Sequence, residues 1–252
     1  MTTIATWNVN SIKARLPNVL AWLKAAQPDV ALLQELKCVD DNFPRLEIEE
    51  LGYNVAVNGQ KSYNGVAILS KFPLEDVRRG LPGNDGDDHA RYLEATVRGF
   101  RVATIYLPNG NPIATEKFTY KLAWMDRLIA HARALLASEQ PVVLGGDYNV
   151  IPTDADVHDP ALWINDALFL PRTREKFQEI THLGLTDAIR ALLQEHVLDA
   201  GHSYGPGPGD LGINWERNIG VPNYALVEYK APDNHPVAEC PMCAAGEPIT
   251  SF

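Results

Sequence analysis

The stretch VVLGGDYNVIP, residues 142–152, decides how the rest of the chain is interpreted. Its first three residues are apolar and typical of a buried strand, and Gly145 and Gly146 are expected to end that strand by freeing the backbone to turn. An acid and an amide, Asp147 and Asn149, follow two residues apart. Taken alone, this stretch is best interpreted as an Asx turn that closes a strand. A catalytic role therefore needs support from other parts of the chain.

Three other apolar runs also lead directly into a polar side chain. The runs at 4–7, 30–33 and 101–105 are followed by Asn8, by Gln34 with Glu35, and by Tyr106. Each residue has a structural interpretation of its own: a helix cap, a solvated acid and a core aromatic, respectively. Because all of these would have to be coincidences at once, we expect the strand ends to meet at one edge of a sheet sandwich.

The remaining pattern is that of alternating strands and helices. Apolar residues at 16, 19, 20 and 23 fall on one helical face between the first two strands. The other predicted elements are strands at 53–57 and 65–69, a hairpin of strands at 93–97 and 101–106, an amphipathic helix at 115–137, a long loop at 153–171, and helical segments at 172–182 and 186–194. The order predicts an α/β (α+β) domain.

The residue types at the strand ends suit the hydrolysis of a phosphate ester. Glu35 and Asp147, with Asn8 beside them, offer the hard oxygen ligands that Mg²⁺ or Mn²⁺ prefers. Such a reaction needs a metal to offset charge, a base to deprotonate water, and donors that hold the phosphoryl oxygens. We expect Glu35 to bind the metal and Asp147 to accept the proton, with Asn149, Asn8 and the Tyr106 hydroxyl as donors.

Composition limits the class of protein. The chain has 252 residues, 46% of them hydrophobic and 21% charged, which is enough for one large soluble domain. A net charge of −10 argues against a general polyanion binder but allows a local basic groove. Three cysteines make no disulfide framework, and we expect neither a signal peptide nor a membrane span. The composition predicts a cytoplasmic protein.

Seven segments carry a specific resemblance to a known family. The chain from residue 1 to about 193 resembles the exonuclease III branch of the exonuclease–endonuclease–phosphatase superfamily. The segments that carry it are TWNVNSIKAR (6–15), LLQELK (32–37), YNGVAILSK (63–71), IYLPNGN (105–111), KFTYKLAWMDRL (117–128), GGDYNVIPTDADVHDP (145–160) and FQEITHLGLTDAIR (177–190).

This resemblance implies a fold and an activity. It implies a four-layer αββα sandwich of two mixed sheets and a monomeric enzyme that cleaves 5′ to abasic sites. It also implies 3′-to-5′ exonuclease activity on double-stranded DNA with Mg²⁺ (or Mn²⁺). Carried over, Glu35 is the metal ligand with Asn8 close by, Asp147 the acid/base, Asn149 the residue that steadies transition-state charge, and Tyr106 a phosphate contact.

Several basic and polar residues could follow a DNA backbone. The substrate-binding candidates are Asn8, Lys61, Asn64 and Arg91. Tyr63, Lys117 and Lys121 are further residues of this kind. Each of these residues, taken singly, is more typical of a solvated surface.

The resemblance ends after residue 193. Where the family has an Arg-Ile-Asp strand this chain has Val-Pro-Asn at 221–223, and in place of the terminal Ser-Asp-His it has Asp-Asn-His at 233–235. We keep His235 as the candidate for the catalytic histidine. The stretches GVPNYALVEYKAP (220–232) and ECPMCAAGEPI (239–249) are instead similar to the carboxyl end of orotate phosphoribosyltransferases, a part without catalytic residues.

Because the resemblance ends near residue 193, the sequence predicts two domains. Residues 1–193 are predicted to form the nuclease domain, and residues 194–252 an atypical, foreign tail that leaves the second sheet incomplete at its C-terminal end. Without the terminal Asp-His pair we expect the chemistry to be weakened. The alternatives are a catalytically inactive protein that binds abasic DNA, and a phosphoesterase that acts on a lipid or a small phosphate.

Overall fold

The computed structural model describes residues 2–188, 190 and 191. Predictions that concern the rest of the chain, including His235, the second half of the helix expected at 186–194 and the tail, lie outside the described residues. The elements described are β1 (Ile4–Asn8), α1 (Ile12–Ala26), β2 (Val30–Gln34), α2 (Arg45–Glu49), β3 (Asn54–Asn58), β4 (Val66–Ser70), β5 (Glu75–Arg79), β6 (Tyr92–Val97), β7 (Phe100–Tyr106), α3 (Glu116–Leu136), β8 (Val142–Asp147) and α4 (Pro171–Thr181).

The strands form two mixed sheets. The first has the order β1-β2-β4-β3 and the second the order β5-β6-β7-β8. In each sheet one pair is parallel, β1 with β2 and β7 with β8, and the other described pairs are antiparallel. The expectation of two mixed sheets is confirmed.

Successive side chains of a strand point to opposite faces of its sheet, so each sheet packs against a different layer on each face. In β2, Ala31 and Leu33 pack into the core that contains α1, whereas Val30 and Leu32 pack against the second sheet. In β7, alternate residues face the first sheet and the core formed with α3 and α4. Apolar side chains on both faces of each sheet therefore give the four-layer αββα sandwich, which is also confirmed. Among the described residues, no helix is long and apolar enough to cross a membrane.

The two long predicted helices form where their patterns placed them. Val19 and Leu23 of α1 are fully buried, and the Ser11 hydroxyl accepts a hydrogen bond from the Ala14 amide at the helix start. Helix α3 begins after the cap residue Thr115, and its apolar face packs on the second sheet.

The glycine pair at 145–146 does not end its strand, contrary to expectation. Strand β8 continues through both glycines to Asp147. A Cβ atom at Gly145 would lie 2.6 Å from Leu32 Cδ1 of the first sheet, and one at Gly146 would lie 2.1 Å from the carbonyl oxygen of Ile105. The glycines therefore allow β8 to approach both neighbours closely.

Strand β5 was not predicted. It carries only one half-buried apolar side chain, Val77, between exposed charged residues. Because residues on both faces of this edge strand are exposed, its sequence has no alternation of apolar and polar residues to reveal it.

A buried charge cluster ties α3 to the second sheet. Glu94 is 1% exposed, and its carboxylate accepts from Arg101 Nη2 at 2.5 Å and from the Tyr92 hydroxyl at 2.6 Å. His131 of α3 lies 2.9 Å from the same carboxylate. Burial alone would raise the pKa of Glu94, but hydrogen bonds from His131, Arg101 and Tyr92 lower it from 4.5 to about 2.

We expect the substitution Glu94→Gln to lower the free energy of unfolding at pH 7 by about 3 kcal/mol, because the buried Arg101 loses its counter-charge. A carboxyl whose folded-state pKa is depressed stabilises the protein above its unfolded pKa and loses this contribution as pH falls. The parent should therefore lose stability between pH 4.5 and about 2. Glu94→Gln should flatten this dependence in urea unfolding curves measured across that range.

The matched control is Glu49→Gln, which breaks an exposed pair with Arg45 at 3.2 Å. It should change stability by less than about 1 kcal/mol and leave the acid dependence intact. Equal effects of the two substitutions would contradict the role assigned to Glu94.

Candidate active site

The side chain of Asn8 joins two carboxylates across the sandwich. Its Nδ2 donates to Glu35 Oε1 at 2.9 Å and to Asp147 Oδ2 at 2.8 Å. Strand β1, which ends on Asn8, and strand β8, which ends on Asp147, belong to different sheets. The structure thus brings these three predicted residues together. Asn8 also accepts from the Asn10 amide at 3.0 Å, while Ser11 is the cap of α1.

Glu35 is held in its ionised form by three donors. Lys37 Nζ lies 3.0 Å from Oε2, and Asn8 and the Tyr106 hydroxyl also hydrogen-bond to the carboxylate. Burial would raise the pKa of Glu35, but these hydrogen bonds lower it overall. The backbone at Glu35 is left-handed, with φ 55°, and the following backbone is pinned by the bond from the Lys37 amide to the Asn64 carbonyl at 2.9 Å.

Tyr106 stays protonated and acts as a donor. Burial and the nearby Glu35 charge raise the pKa of the Tyr106 hydroxyl above its usual value. The Arg91 guanidinium lies over the Tyr106 ring, 4.9 Å from its centre, and Arg91 Nη1 donates to the Tyr106 carbonyl at 3.3 Å. Arg91 therefore touches Tyr106, which in turn hydrogen-bonds to Glu35 of the cluster formed by Asn8, Glu35 and Asp147.

Asp147 and Asn149 do form the local turn that the sequence suggested. The Asn149 amide donates to Asp147 Oδ1 at 2.9 Å, and Asn149 has a left-handed backbone with φ 45°. The same carboxylate accepts from Asn8, so the turn presents Asp147 to the rest of the site. Asn149 Nδ2 donates to the Leu107 carbonyl at 2.9 Å, which leaves its second N–H for another acceptor.

Lys121 is buried, whereas the sequence suggested that it lies on the surface. Its side chain is 0% exposed, and its ammonium donates to the carbonyls of Asn109 at 3.0 Å and Asn149 at 2.6 Å. Burial lowers the pKa of Lys121 to about 7, against the opposing charges of Asp166 and Asp147. Lys117, one turn earlier, is exposed.

The other predicted binding residues lie around one loop. Lys61 is exposed in the loop between β3 and β4, and the neighbouring Tyr63 is 72% exposed. Asn64 is buried and donates to Gln60 Oε1 at 2.8 Å, so its side chain supports the loop. Gln60 Oε1 also accepts from the Ala90 amide at 3.0 Å, which places this loop beside Arg91. The binding roles stay predictions.

Sequence reasoning missed two residues of the site. Lys37 bonds to Glu35 and to Asn10 Oδ1, and Asn109 donates to Asn149 Oδ1 at 3.4 Å. Lys37 follows Glu35 by two residues in the same motif, and Asn109 follows Tyr106 by three. Their proximity in sequence was the available signal.

The donor set fits a hard divalent metal. Glu35 and Asp147 supply carboxylates and Asn8 an amide. Among the described residues, no three or more His, Cys, Asp and Glu side chains are grouped so that they could hold a metal ion by themselves. Mg²⁺ is commonly held by one or two carboxylates and completes its shell with water and substrate oxygens. Zinc prefers more nitrogen and sulfur ligands than this cluster offers.

Comparisons with known proteins agree with this geometry. A relative, exodeoxyribonuclease III of Haemophilus influenzae, is 33% identical over 198 residues, which cover 74% of each chain. An AP endonuclease structure from Archaeoglobus fulgidus matches with a TM-score of 0.73 and 38% identity, over 76% of this chain and 74% of that one. A structure of the 3′ phosphatase NExo from Neisseria, bound to a product DNA hairpin, matches with a TM-score of 0.74 and 40% identity, over the same shares.

A family model matches most of the chain. It is the model of the Endonuclease/Exonuclease/phosphatase family, and it matches residues 5–224. The match runs beyond residue 193, the boundary that the sequence suggested for the nuclease domain, and that boundary stays a prediction. With 220 matched residues out of 252, this chain belongs to the Endonuclease/Exonuclease/phosphatase family.

Proposed function

We propose that this chain is a DNA-repair nuclease that hydrolyses the phosphodiester 5′ to abasic sites and removes nucleotides 3′ to 5′ from duplex DNA, with Mg²⁺ or Mn²⁺. The observation that carries the proposal is the Asn8 amide that joins Glu35 and Asp147 at 2.9 and 2.8 Å. The similarity to an exodeoxyribonuclease III and to an AP endonuclease supports it.

The residues of the site divide the chemistry among them. Asp147 accepts the proton of the attacking water while the water oxygen bonds to phosphorus. The bond from phosphorus to the 3′ oxygen breaks, and that oxygen takes a proton from solvent. The free N–H of Asn149 and the Tyr106 hydroxyl donate to the phosphoryl oxygens as charge develops on them. Glu35, ionised by its donors, is the proposed metal ligand, with Asn8 and Asp147 beside it.

A divalent ion at Glu35 would offset the negative charge of the phosphate and hold it near Asp147. Lys37, whose ammonium lies 3.0 Å from Glu35 Oε2, keeps that carboxylate paired with a positive charge on one side. Each carboxylate has about four acceptor positions, so Glu35 and Asp147 would keep acceptors for the ion and the water besides their protein partners.

DNA is the proposed partner despite the net charge of −10. Arg91 supplies positive charge beside Tyr106, Lys61 and Lys117 are exposed, and a basic path on an acidic protein is enough to guide a phosphate backbone. The proposal includes a monomer located in the cytoplasm.

A second candidate is the removal of a 3′-terminal phosphate from DNA. The structural match to a 3′ phosphatase at 40% identity favours it. The reaction uses the same attack of water on phosphorus and breaks the same bond to the 3′ oxygen, so it needs the same acceptor and donors. It differs in that the phosphate is a terminal monoester without a 5′ ester.

We expect the purified protein to cut a duplex with one abasic site when Mg²⁺ is present and to stop when a chelator is added. Asp147→Asn should lower kcat by about 10²–10⁴-fold, because the water loses its proton acceptor. The assay separates substrate and nicked strand on a denaturing gel, and a second duplex with a 3′-phosphate tests the second candidate.

The control is Asp126→Asn, the same chemical change at an exposed residue of α3 that pairs with Lys176. It should leave kcat unchanged. Equal activity of Asp147→Asn and the parent would overturn the proposal. Salt-dependent binding of abasic duplex without turnover would favour the inactive DNA-binding protein, and hydrolysis of lipid or small phosphates alone would favour the phosphoesterase.

Glu35→Gln should weaken Mn²⁺ binding by at least about 10-fold, because the neutral amide is a poorer ligand for a hard cation. Electron paramagnetic resonance of free Mn²⁺ measures this without any reaction. Binding of abasic duplex in chelator should be retained. Glu49→Gln is the matched control, and unchanged Mn²⁺ affinity in Glu35→Gln would assign the metal elsewhere.

His235 is the proposed catalytic histidine, and it lies outside the described residues. If it contacts the scissile phosphate, His235→Ala should lower kcat by about 10²-fold. His202→Ala, the same change in the same part of the chain, is the control. Equal kcat in both variants would mean that His235 does not contact the scissile phosphate, and that the weakened chemistry expected from the missing Ser-Asp-His applies.

A further inference from the structure

Lys121 is a fully buried lysine that crosses from α3 to two loops of the active site. Its ammonium donates to the Asn109 carbonyl at 3.0 Å and to the Asn149 carbonyl at 2.6 Å. We propose that Lys121 is a positioning residue for the proposed reaction, which holds Asn149 in the orientation that stabilises charge on the phosphate. This inference rests on the proposed function.

Four hydrogen bonds hold Asn149, and Lys121 makes one of them. Its amide donates to Asp147 Oδ1, its Nδ2 to the Leu107 carbonyl, and its Oδ1 accepts from Asn109. The Asn149 carbonyl is held by Lys121. The backbone there is left-handed (φ 45°), a conformation that asparagine tolerates better than most residues, and these hydrogen bonds hold it in that conformation.

The neighbouring loop is shaped around the lysine. A Cβ atom at Gly110 would lie 2.6 Å from Lys121 Cδ and 3.1 Å from Ala167 Cβ, and Gly110 has φ 90°. The glycine therefore leaves room for the lysine stem on its way to the two carbonyls. This is independent of the hydrogen bonds and indicates that the loop after Tyr106 is built to admit Lys121.

A purely structural lysine and a positioning lysine predict different results. Loss of a structural residue lowers stability and leaves kcat of the folded protein intact. Loss of a positioning residue lowers kcat at equal stability, since a displacement of about 1 Å at a catalytic group can cost about 10²-fold. The KM for DNA should stay unchanged, because the exposed Lys61 and Lys117 are not altered.

The test compares Lys121→Met with Leu135→Ala. Methionine has a similar length but no donor, and Leu135 is a buried residue in the last turns of α3. For each variant we would measure urea unfolding, kcat and KM on an abasic duplex with Mg²⁺, and hydrogen exchange of the Asn149 and Leu107 backbone amides. We expect Lys121→Met alone to lower kcat by about 10²-fold at unchanged KM and to speed exchange at both amides.

A second variant restores the donor chemically. Lys121→Ala leaves a cavity that ethylammonium can enter, so millimolar ethylammonium should raise kcat and slow amide exchange at Asn149. Tetramethylammonium, which has no N–H, should do neither. If Lys121→Met does not fold, the Ala variant with and without each amine gives the same comparison.

The outcomes separate the two proposals. If the parent protein does not cut DNA, the proposed function fails, and hydrogen exchange at Asn149 still decides whether Lys121 holds this residue. If Lys121→Met keeps the parental kcat and the parental exchange rates, the positioning role is overturned. If Leu135→Ala is destabilised to the same extent as Lys121→Met and loses as much kcat, the effect is one of stability alone and the inference is also overturned.

Discussion

The site depends on one amide group shared between two carboxylates. Glu35 and Asp147 come from different sheets, and their negative charges would repel each other if nothing lay between them. The two N–H groups of Asn8 Nδ2 donate one bond to each carboxylate, at 2.9 and 2.8 Å. The close packing of Gly145 against Leu32 of the opposite sheet lets β8 come near enough for this bridge. The spacing of the two sheets therefore also determines whether Asn8 can bridge the two carboxylates.

A network of buried polar side chains links the two sheets at this edge. Gln34 is buried between them, and its Nε2 donates to the hydroxyls of Thr104 at 3.0 Å and Thr6 at 3.1 Å. The Thr104 hydroxyl donates in turn to the Leu33 carbonyl at 3.2 Å. A shift of β2 by one residue would turn the Gln34 side chain to the other face of its sheet and leave these polar groups unpaired. The network therefore selects one register for β2. Glu35 follows Gln34 directly, so its position is fixed by the same network.

The sequence predicted those features that depend on local pattern. Apolar runs that end on Asn8, Glu35, Tyr106 and Asp147 indicated one edge of a sandwich, and the structure places these side chains in one cluster. It did not predict contacts that depend on residues far apart in sequence. The role of Gly145 depends on Leu32 from the opposite sheet, and β5 has one half-buried side chain to mark it. Lys121 could not be assigned to the interior, because its partners are backbone carbonyls without a sequence signature.

Six of the eleven described residues other than glycine that have a left-handed backbone lie around the same cluster. They are Asn10, Ser11, Glu35, Lys37, Asn64 and Asn149. Such a backbone costs about 1 kcal/mol or more at Ser11, Glu35 and Lys37 and less at an asparagine, which adopts it more readily. The cost persists only where surrounding contacts hold the backbone. Three hydrogen bonds hold the backbone here. The Leu36 amide donates to the Gly65 carbonyl, the Lys37 amide to the Asn64 carbonyl, and the Lys121 ammonium to the Asn149 carbonyl. A folded sandwich without a site would gain stability by relaxing these turns. Their retention at the edge where the carboxylates meet is therefore best explained by the positions they give to Glu35 and Asn149.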